Sequence, residues 1–454
     1  MSIIETKITE EQIREFRINV LDSYDIEPAD FKKYDIKRGL RNSDGTGVMA
    51  GLTKVCSVEG YVISDGEKIP KEGKLYYRGI DINKIVDACI AENRFGYEEV
   101  AYLLLFGSLP KKENLEAFNE ILSMSRELPD DFTEDMIMKA PSANIMNKMA
   151  RSVLAMYSYD SNPDSTDTAN VIRQSVQLIA QLPVIMAYAY QVKRRAFYHK
   201  SMYLHPLVPG LSTAETVLRS IRSDKKYTDD EAKLLDLCLM LHADHGGGNN
   251  SAFATRVVTS SGTDTYSAIA AAIGALKGPK HGGANIKVSE MAGMMLEKIN
   301  DPGNDAEVKD CLVNVLRKKS GDGSGLVYGM GHAVYTKSDP RAKILRAKAE
   351  EFSAGTDFER EFTLLSAIER LTPEVFAEVK GSDKAMCANV DLYSGLVYKI
   401  LRIPEDLYTP IFTLARISGW SAHRLEELLT GGRIIRPAYK NIGKSIEYVP
   451  IADR

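Results

Sequence analysis

The chain has 454 residues, 44% of them hydrophobic and 26% charged, with a formal net charge of -4. That length supports a large core and more than one domain, and the near-neutral balance gives no basis for nucleic acid or an anionic membrane surface as partner. The five cysteines (Cys56, Cys89, Cys238, Cys311, Cys387) follow no CxxC or zinc-ribbon spacing, which fits reduced thiols in a cytoplasmic protein better than a disulfide framework.

The N-terminal stretch "MSIIETKITEEQIREFRINV" carries charges throughout, so it reads neither as a secretory signal nor as an acid-poor transit peptide. No window reaches the roughly 18 apolar residues of a membrane span. Thr9 with Gln12 predicts a capping box at the start of a short amphipathic helix, and "NSDGTG" marks a loop in an otherwise irregular 20–50 stretch. Alternating runs then predict a hairpin: "LTKVCSVEGYVIS", a turn at "DGEKIPKEG", and "LYYRG".

From Asp81 onward the pattern is helical. "FGYEEVAYLLLFGSLP" predicts a buried helix ended by Gly107 and Pro110, and "TANVIRQSVQLIAQLPVIMAYAYQVKRR" a long one with Pro183 as a kink. Further helices are predicted at "DDEAKLLDLCLMLHADH", "SAIAAAIGALK", "IKVSEMAGMMLEKI", "AEVKDCLVNVLRKK", "DPRAKILRAKAEEFS", "REFTLLSAIERLTPEVFAEVK", "LYSGLVYKILRI" and "LYTPIFTLARISGWSAHRLEELL". The fold class is mostly α. Composition alone does not locate a domain boundary.

Seven histidines are present, and three lie in glycine-rich settings: "LHADHGGGNNS", "GPKHGGAN" and "GMGHAVY". Glycine beside a polar side chain lets backbone or substrate approach closely. His242 and His245 stand three apart, which on a helix would suit two metal ligands. However, the HExxH glutamate is missing, no third ligand is evident, and Gly246 to Gly248 would end the helix there. "GDGSGLVYGMGH" offers backbone groups to an anion or a flat heterocycle but lacks the Lys-Ser/Thr of a phosphate loop. Asp391 in "NVDLYSGLVY" reads either as a helix N-cap or as a functional carboxylate. Arg341, Arg416 and Arg436 read as surface charges unless they converge, in which case they would suit a substrate with more than one carboxylate.

Taken in order, "LHADHGGGNNSAFATRVVTSSGTDTYSAIAAAIGALKGPKHGGAN", "GMGHAVYTKSDPRA", "NVDLYSGLVY" and "RIIRPAYKNIG" resemble the citrate synthases, as do the earlier "KLYYRGIDI" and "FGYEEVAYLLLFGSLP". The resemblance runs from about Gly51 to near the C-terminus. It implies a two-domain, mostly helical citrate synthase-like fold with a small N-terminal β-hairpin region. The large domain would comprise 1–288 and 391–454, with 289–390 as a small domain that closes over the substrates. The small-residue helix at 267–277 would permit the close helix approach of a dimer interface. The implied reaction condenses acetyl-CoA with oxaloacetate and hydrolyses citryl-CoA. It is run by a cytoplasmic homodimer with no metal and no cofactor beyond its substrates.

Carried over by motif, His281 would hydrogen-bond the thioester carbonyl, Asp391 would remove the methyl proton, and His332 would polarise and protonate the ketone. His245, Arg341, Arg416 and Asn249 would hold oxaloacetate, with Ser251 as further polar support and Arg436 reaching in across the dimer interface. Leu326, Val327, Gly329, Gly331, Lys337 and Asn389 would meet CoA. Three positions depart from many relatives or stay open. Gly246 replaces the Glu of "HADHE", Thr336 stands where a basic residue faces the CoA phosphates, and His242 matches a family histidine without a clear chemical role. The same motifs serve a 2-methylcitrate synthase using propionyl-CoA. A catalytically silent helical dimer that binds the same ligands is the alternative of another class.

Overall fold

The computed structural model describes residues 8–23, 26–382 and 385–453, and the chain divides into two compact units, Met1–Ala50 and Gly51–Arg454. In the first unit the predicted capping box opens α1 (Glu10–Ser23). Thr9 N–H donates to Gln12 Oε1 at 3.0 Å, and Gln12 N–H donates back to Thr9 Oγ1 at 3.2 Å. Helix α2 (Pro28–Lys33) starts on a proline, whose missing N–H costs nothing at a first helical position. A bridge between Arg41 and Gly47 closes the "NSDGTG" loop.

The second unit begins with an antiparallel sheet in the order β1 (Cys56–Ser64), β2 (Glu67–Tyr77), β3 (Ile80–Asp81). Its hairpin turn is shorter than the sequence suggests. Only Asp65 and Gly66 form it, both at positive φ (52° and 80°), the two-residue geometry that matches strand twist. The segment 67–73 is strand instead. Pairing steps from Glu59–Lys74 to Tyr61–Pro70, so a two-residue step on β1 faces a four-residue step on β2. This irregularity accommodates the proline and glycine that read as turn residues.

The irregularity has a use. A Cβ on Gly60 would lie 2.5 Å from the Val334 carbonyl oxygen, and one on Gly73 would lie 2.0 Å from that of Ser338. The bare backbone thus lets segment 334–338 lie directly on the hairpin. It is fastened there by Gly73 N–H to Ser338 Oγ (3.1 Å) and by the Thr336 hydroxyl to the Gly60 carbonyl.

The helices follow as α3 (Ile82–Ala91), α4 (Tyr97–Phe106), α5 (Lys112–Met124), α6 (Ile145–Met156), α7 (Thr168–Tyr198) and α8 (Thr213–Ile221). Then come α9 (Asp229–His242), α10 (Asn250–Thr259), α11 (Thr265–Lys277), α12 (Ala284–Lys298) and α13 (Asp305–Leu316). The last are α14 (Pro340–Ser353), α15 (Glu359–Lys380), α16 (Asp391–Ile400) and α17 (Tyr408–Leu429). Gly107 ends α4 at φ 85°, as the sequence predicts, while α7 runs on across Pro183 as one element.

Helix α17 is the core element. Every residue from Tyr408 to Leu425 is buried, and the helix packs against α4, α7, α9, α10 and α11. Helices α12 and α14 both pack on α16, which brings the 284–353 stretch against the helix that starts at Asp391. All five cysteines are free and buried, and among the described residues no helix is long and apolar enough to cross a membrane.

Gly73→Ala should force β2 off segment 334–338, because the clash is with backbone rather than with a side chain that can turn away. An urea melt should show a loss of about 1–3 kcal/mol. A variant as stable as the parent would mean that this contact is not tight in solution.

Candidate active site

The loop after α9, the start of α12, the 332–341 segment, the start of α16 and the middle of α17 each contribute a polar group to one place. His332 anchors itself locally. Its Nδ1 accepts the N–H groups of Val334 (3.0 Å) and Tyr335 (3.1 Å). In a neutral ring the proton therefore sits on Nε2, which makes that nitrogen a donor. His332 lies edge-on to His245, with ring centroids 5.0 Å apart, and beside Tyr335 at 4.7 Å. His245 Nε2 meets the Tyr335 hydroxyl at 3.3 Å. Arg341 lies over the same tyrosine at 5.8 Å and is gripped by Asp339, with Nε to Oδ1 at 3.0 Å and Nη2 to Oδ2 at 2.7 Å.

Arg416 comes from the buried stretch of α17. Its Nε donates to the His242 carbonyl at 2.6 Å, and its Nη1 is buried without a hydrogen-bond partner. His242 itself faces the protein interior, stacked on Phe412 at 3.9 Å with Nε2 3.0 Å from the Tyr398 hydroxyl. His242 and His245 therefore diverge. Among the described residues no group of three or more His, Cys, Asp and Glu side chains is arranged to hold a metal ion.

His281 stands just before α12, with Nε2 3.1 Å from Ser251 Oγ. Ser251 accepts the indole N–H of Trp420 at 3.0 Å, so its own proton goes either to His281 Nε2 or to Asn249 Oδ1 at 2.9 Å. When it goes to His281, the imidazole keeps its proton on Nδ1. Asn249 caps α10, accepting the Ser251 N–H at 3.2 Å, so its carboxamide oxygen builds the turn that holds Ser251.

Asp391 is not the N-cap. Val390 takes that position, and Asp391 is the first helical residue, its N–H donating to Asn389 Oδ1 at 3.0 Å. The Asn389 side chain donates to the Gly331 carbonyl (2.9 Å) and its N–H to the Gly329 carbonyl (2.9 Å), which pins the 329–332 loop to the start of α16. Just before that loop Val327 is buried in the core and Leu326 is exposed, as is Lys337 further on. Arg436 stands apart, exposed in a segment without helix or strand beyond α17.

The electrostatics follow from burial and from Arg416. Burial pushes Asp391 up to about 6; Arg341 and Arg416 pull it down while Asp339 pushes it up. Burial, helped by Arg416, pulls His281 down to about 4. Burial and the charges of Arg341, His332, Arg416 and His281 hold His245 well below the usual histidine range, and burial with the two arginines does the same to His242. Near neutral pH the site thus presents an ionised carboxylate, neutral imidazoles and a guanidinium with an unpartnered N–H.

Sequence reasoning missed Tyr335, Asp339, Trp420 and the buried Asp244–His423–Arg256 chain. Asp244 accepts from His423 Nε2 (3.1 Å) and from Gly246 N–H (3.1 Å), and His423 Nδ1 accepts from Arg256 Nη2 (2.8 Å). Gly246 holds φ 85°, a conformation that favours glycine.

The chain's residues 43–438 match the family model described as "Citrate synthase, C-terminal domain". The citrate synthase of Haloferax volcanii is 34% identical over 430 residues, covering 92% of this chain and 99% of that protein. The 2-methylcitrate synthase of Shewanella oneidensis is 30% identical, covering 84% of this chain and 92% of its own length. Among solved structures, citrate synthase from Thermoplasma acidophilum in ternary complex with carboxymethyl coenzyme A and oxaloacetate superposes with a TM-score of 0.73. It is 28% identical and covers 92% of this chain and 99% of its own.

Because the folded state raises the Asp391 pKa from its ordinary 3.8 to about 6, the ionised carboxylate opposes folding above that pH. The stability linked to its proton is fully present below 3.8 and is lost as pH rises through about 6. Asp391→Asn should therefore be more stable than the parent by about 1–3 kcal/mol at pH 7 and equal to it near pH 3.5 in chemical denaturation. An equal gain at both pH values would remove burial of the charge as its cause.

Proposed function

Since the chain belongs to the citrate synthase family, we propose that it condenses acetyl-CoA with oxaloacetate and hydrolyses the resulting citryl-CoA to citrate and CoA. The observation that carries this reading is the buried Arg416 guanidinium, one N–H of it unpartnered, beside a carboxylate poised near 6 and histidines held neutral. Buried donors without partners are costly, and a dianionic substrate supplies what they lack.

Oxaloacetate lies between Arg341, Arg416 and His245, with its ketone oxygen facing Nε2–H of His332. Asp391 takes a proton from the acetyl methyl, and the N–H of His281 meets the enolate oxygen as its charge appears. That tautomer is the one obtained when Ser251 donates to Nε2. A carboxylate is too weak to form a free carbanion, so removal of the proton and donation to oxygen must coincide. The enolate carbon then bonds to the ketone carbon. His332 gives its Nε2 proton to the forming alkoxide and regains one in place of that which Asp391 took, and water then cleaves the thioester, leaving a carboxylate and the CoA thiol.

CoA follows the 326–331 backbone, near Lys337 and Asn389. Residues 289–390 close over the substrates as a small domain and exclude water during condensation. Two copies form a cytoplasmic homodimer in which Arg436 of each reaches the other's oxaloacetate, and no further cofactor is required. The Shewanella relative supports a second reading, propionyl-CoA in place of acetyl-CoA.

The comparison of kcat/KM for acetyl-CoA and propionyl-CoA decides between these, and a preference for propionyl-CoA would move the assignment to 2-methylcitrate. Absence of CoA release with either, read by a free-thiol assay, would leave only a binding protein.

Asp391→Asn should lower kcat by about two to four orders of magnitude while oxaloacetate binding stays within about threefold. In the parent, kcat/KM for oxaloacetate, which reports the free enzyme, should fall as pH drops through about 6, because the base must be unprotonated. A flat profile between pH 5 and 8 would contradict the base assignment.

A further inference from the structure

Asp244 is a completely buried carboxylate one residue before His245, and its charge and that of Arg416 act on each other. Nothing in the described contacts joins them by a hydrogen bond. Asp244 instead accepts from His423 Nε2–H (3.1 Å to Oδ2, 3.2 Å to Oδ1) and from the N–H of Gly246 (3.1 Å), with the Cys56 thiol as a further, weaker donor. Arg416 is left with Nη1 buried and without a partner.

The state of His423 is fixed from behind. Arg256, which is donor only, gives Nη2–H to His423 Nδ1 at 2.8 Å, so the neutral ring carries its proton on Nε2, facing Asp244. Arg256 is held in turn by Glu427 at 3.0 Å and by Glu426, whose other oxygen accepts the Lys54 N–H at 2.6 Å. His423, Asp244 and Arg416 have essentially no solvent exposure, so water does not substitute for a missing donor.

We propose that His423 is a positioning residue for oxaloacetate binding: its Nε2–H holds the Asp244 carboxylate away from Arg416 and so keeps the guanidinium N–H available to the substrate. Without that proton the carboxylate turns toward the cation whose charge already acts on it, Arg416, whose Nη1 has no partner, and competes with the substrate carboxylate for the same fork. The backbone agrees with this arrangement. A Cβ on Gly419 would lie 2.5 Å from Asp244 Oδ1, so α17 is bare where the carboxylate passes, and Gly246 turns its N–H onto the other oxygen. The inference rests on the assignment of oxaloacetate as substrate.

Two amide variants separate positioning from packing. His423→Gln places an amide N–H at the level of Nε2 and keeps the donor to Asp244. His423→Asn places its amide at the level of Nδ1 and loses that donor. Calorimetric titration with oxaloacetate alone is expected to give a Kd within about threefold of the parent for His423→Gln and raised about tenfold or more for His423→Asn. KM for the acyl-CoA should be little changed in both. Equal affinities for the two folded variants, whether weak or tight, would overturn the inference while leaving the reaction assignment standing.

If the parent itself binds no oxaloacetate, the assignment of substrate fails and this inference falls with it. Should His423→Asn not fold, the parent answers alone. In protein labelled with nitrogen-15 at its seven histidines, His423 is expected to show the Nε2–H tautomer, and an Nδ1–H ring would overturn the proposal.

Discussion

A guanidinium buried inside a helix bundle with one donor unpartnered is the constraint around which this structure is arranged. Moving such a charge out of water costs several kcal/mol unless anions and oriented dipoles compensate. Arg416 has the His242 carbonyl on Nε and the Asp244 charge nearby, but no hydrogen-bond partner on Nη1. Its positive charge acts on five titratable groups of the site. It suppresses protonation of His242, His245 and His281 and favours ionisation of Asp391 and Asp244. Burial is the first cause at each of these groups, and Arg416 adds to it at the imidazoles and opposes it at the two carboxylates.

The surrounding fold reads as support for that arrangement. Arg416, Trp420, His423 and Glu427 recur at helical spacing along α17, so one stripe of the most buried helix reaches His242, Ser251, Asp244 and Arg256 in turn. The hairpin supports the other side. Its missing Cβ atoms at Gly60 and Gly73 let segment 334–338 lie close, and that segment supplies the N–H groups that hold His332. Thr336 hydrogen-bonds the hairpin backbone and so belongs to this seat.

What could be read from the sequence depended on whether a signal was local. Helix existence was legible because apolar periodicity and caps are local: Thr9 with Gln12, Gly107 after α4, and the long run through Pro183 each carry their reason within a few residues. The hairpin turn was misjudged because Pro70 and Gly73 look like turn residues, and only a distant segment resting on the strand explains them. His281, His332 and Asp391 stood out through glycine context and motif order. Asp244 and His423 did not, since an acid between two histidines and a histidine in an apolar helix carry no sign of their partners. The polar spacing along α17 was visible, but its meaning depends on contacts more than 160 residues away in sequence.

Burial alone would work against the chemistry proposed for this site. Desolvation drives every ionisable group toward neutrality, which suits an imidazole donor and disables a carboxylate base. The arginines resolve the conflict, because a cation has opposite effects on the two: it restrains the rise of Asp391 and deepens the fall of His281. At neutral pH the result is an ionised base beside an uncharged donor, the pairing that enolisation of a thioester needs. The same electrostatics make the base responsive to the other substrate. In the proposed binding mode, oxaloacetate's carboxylates on Arg341 and Arg416 would offset the positive charge that holds Asp391 down. Its basicity would then rise when oxaloacetate is present to receive the enolate, and in its absence the carboxylate would be a weaker base.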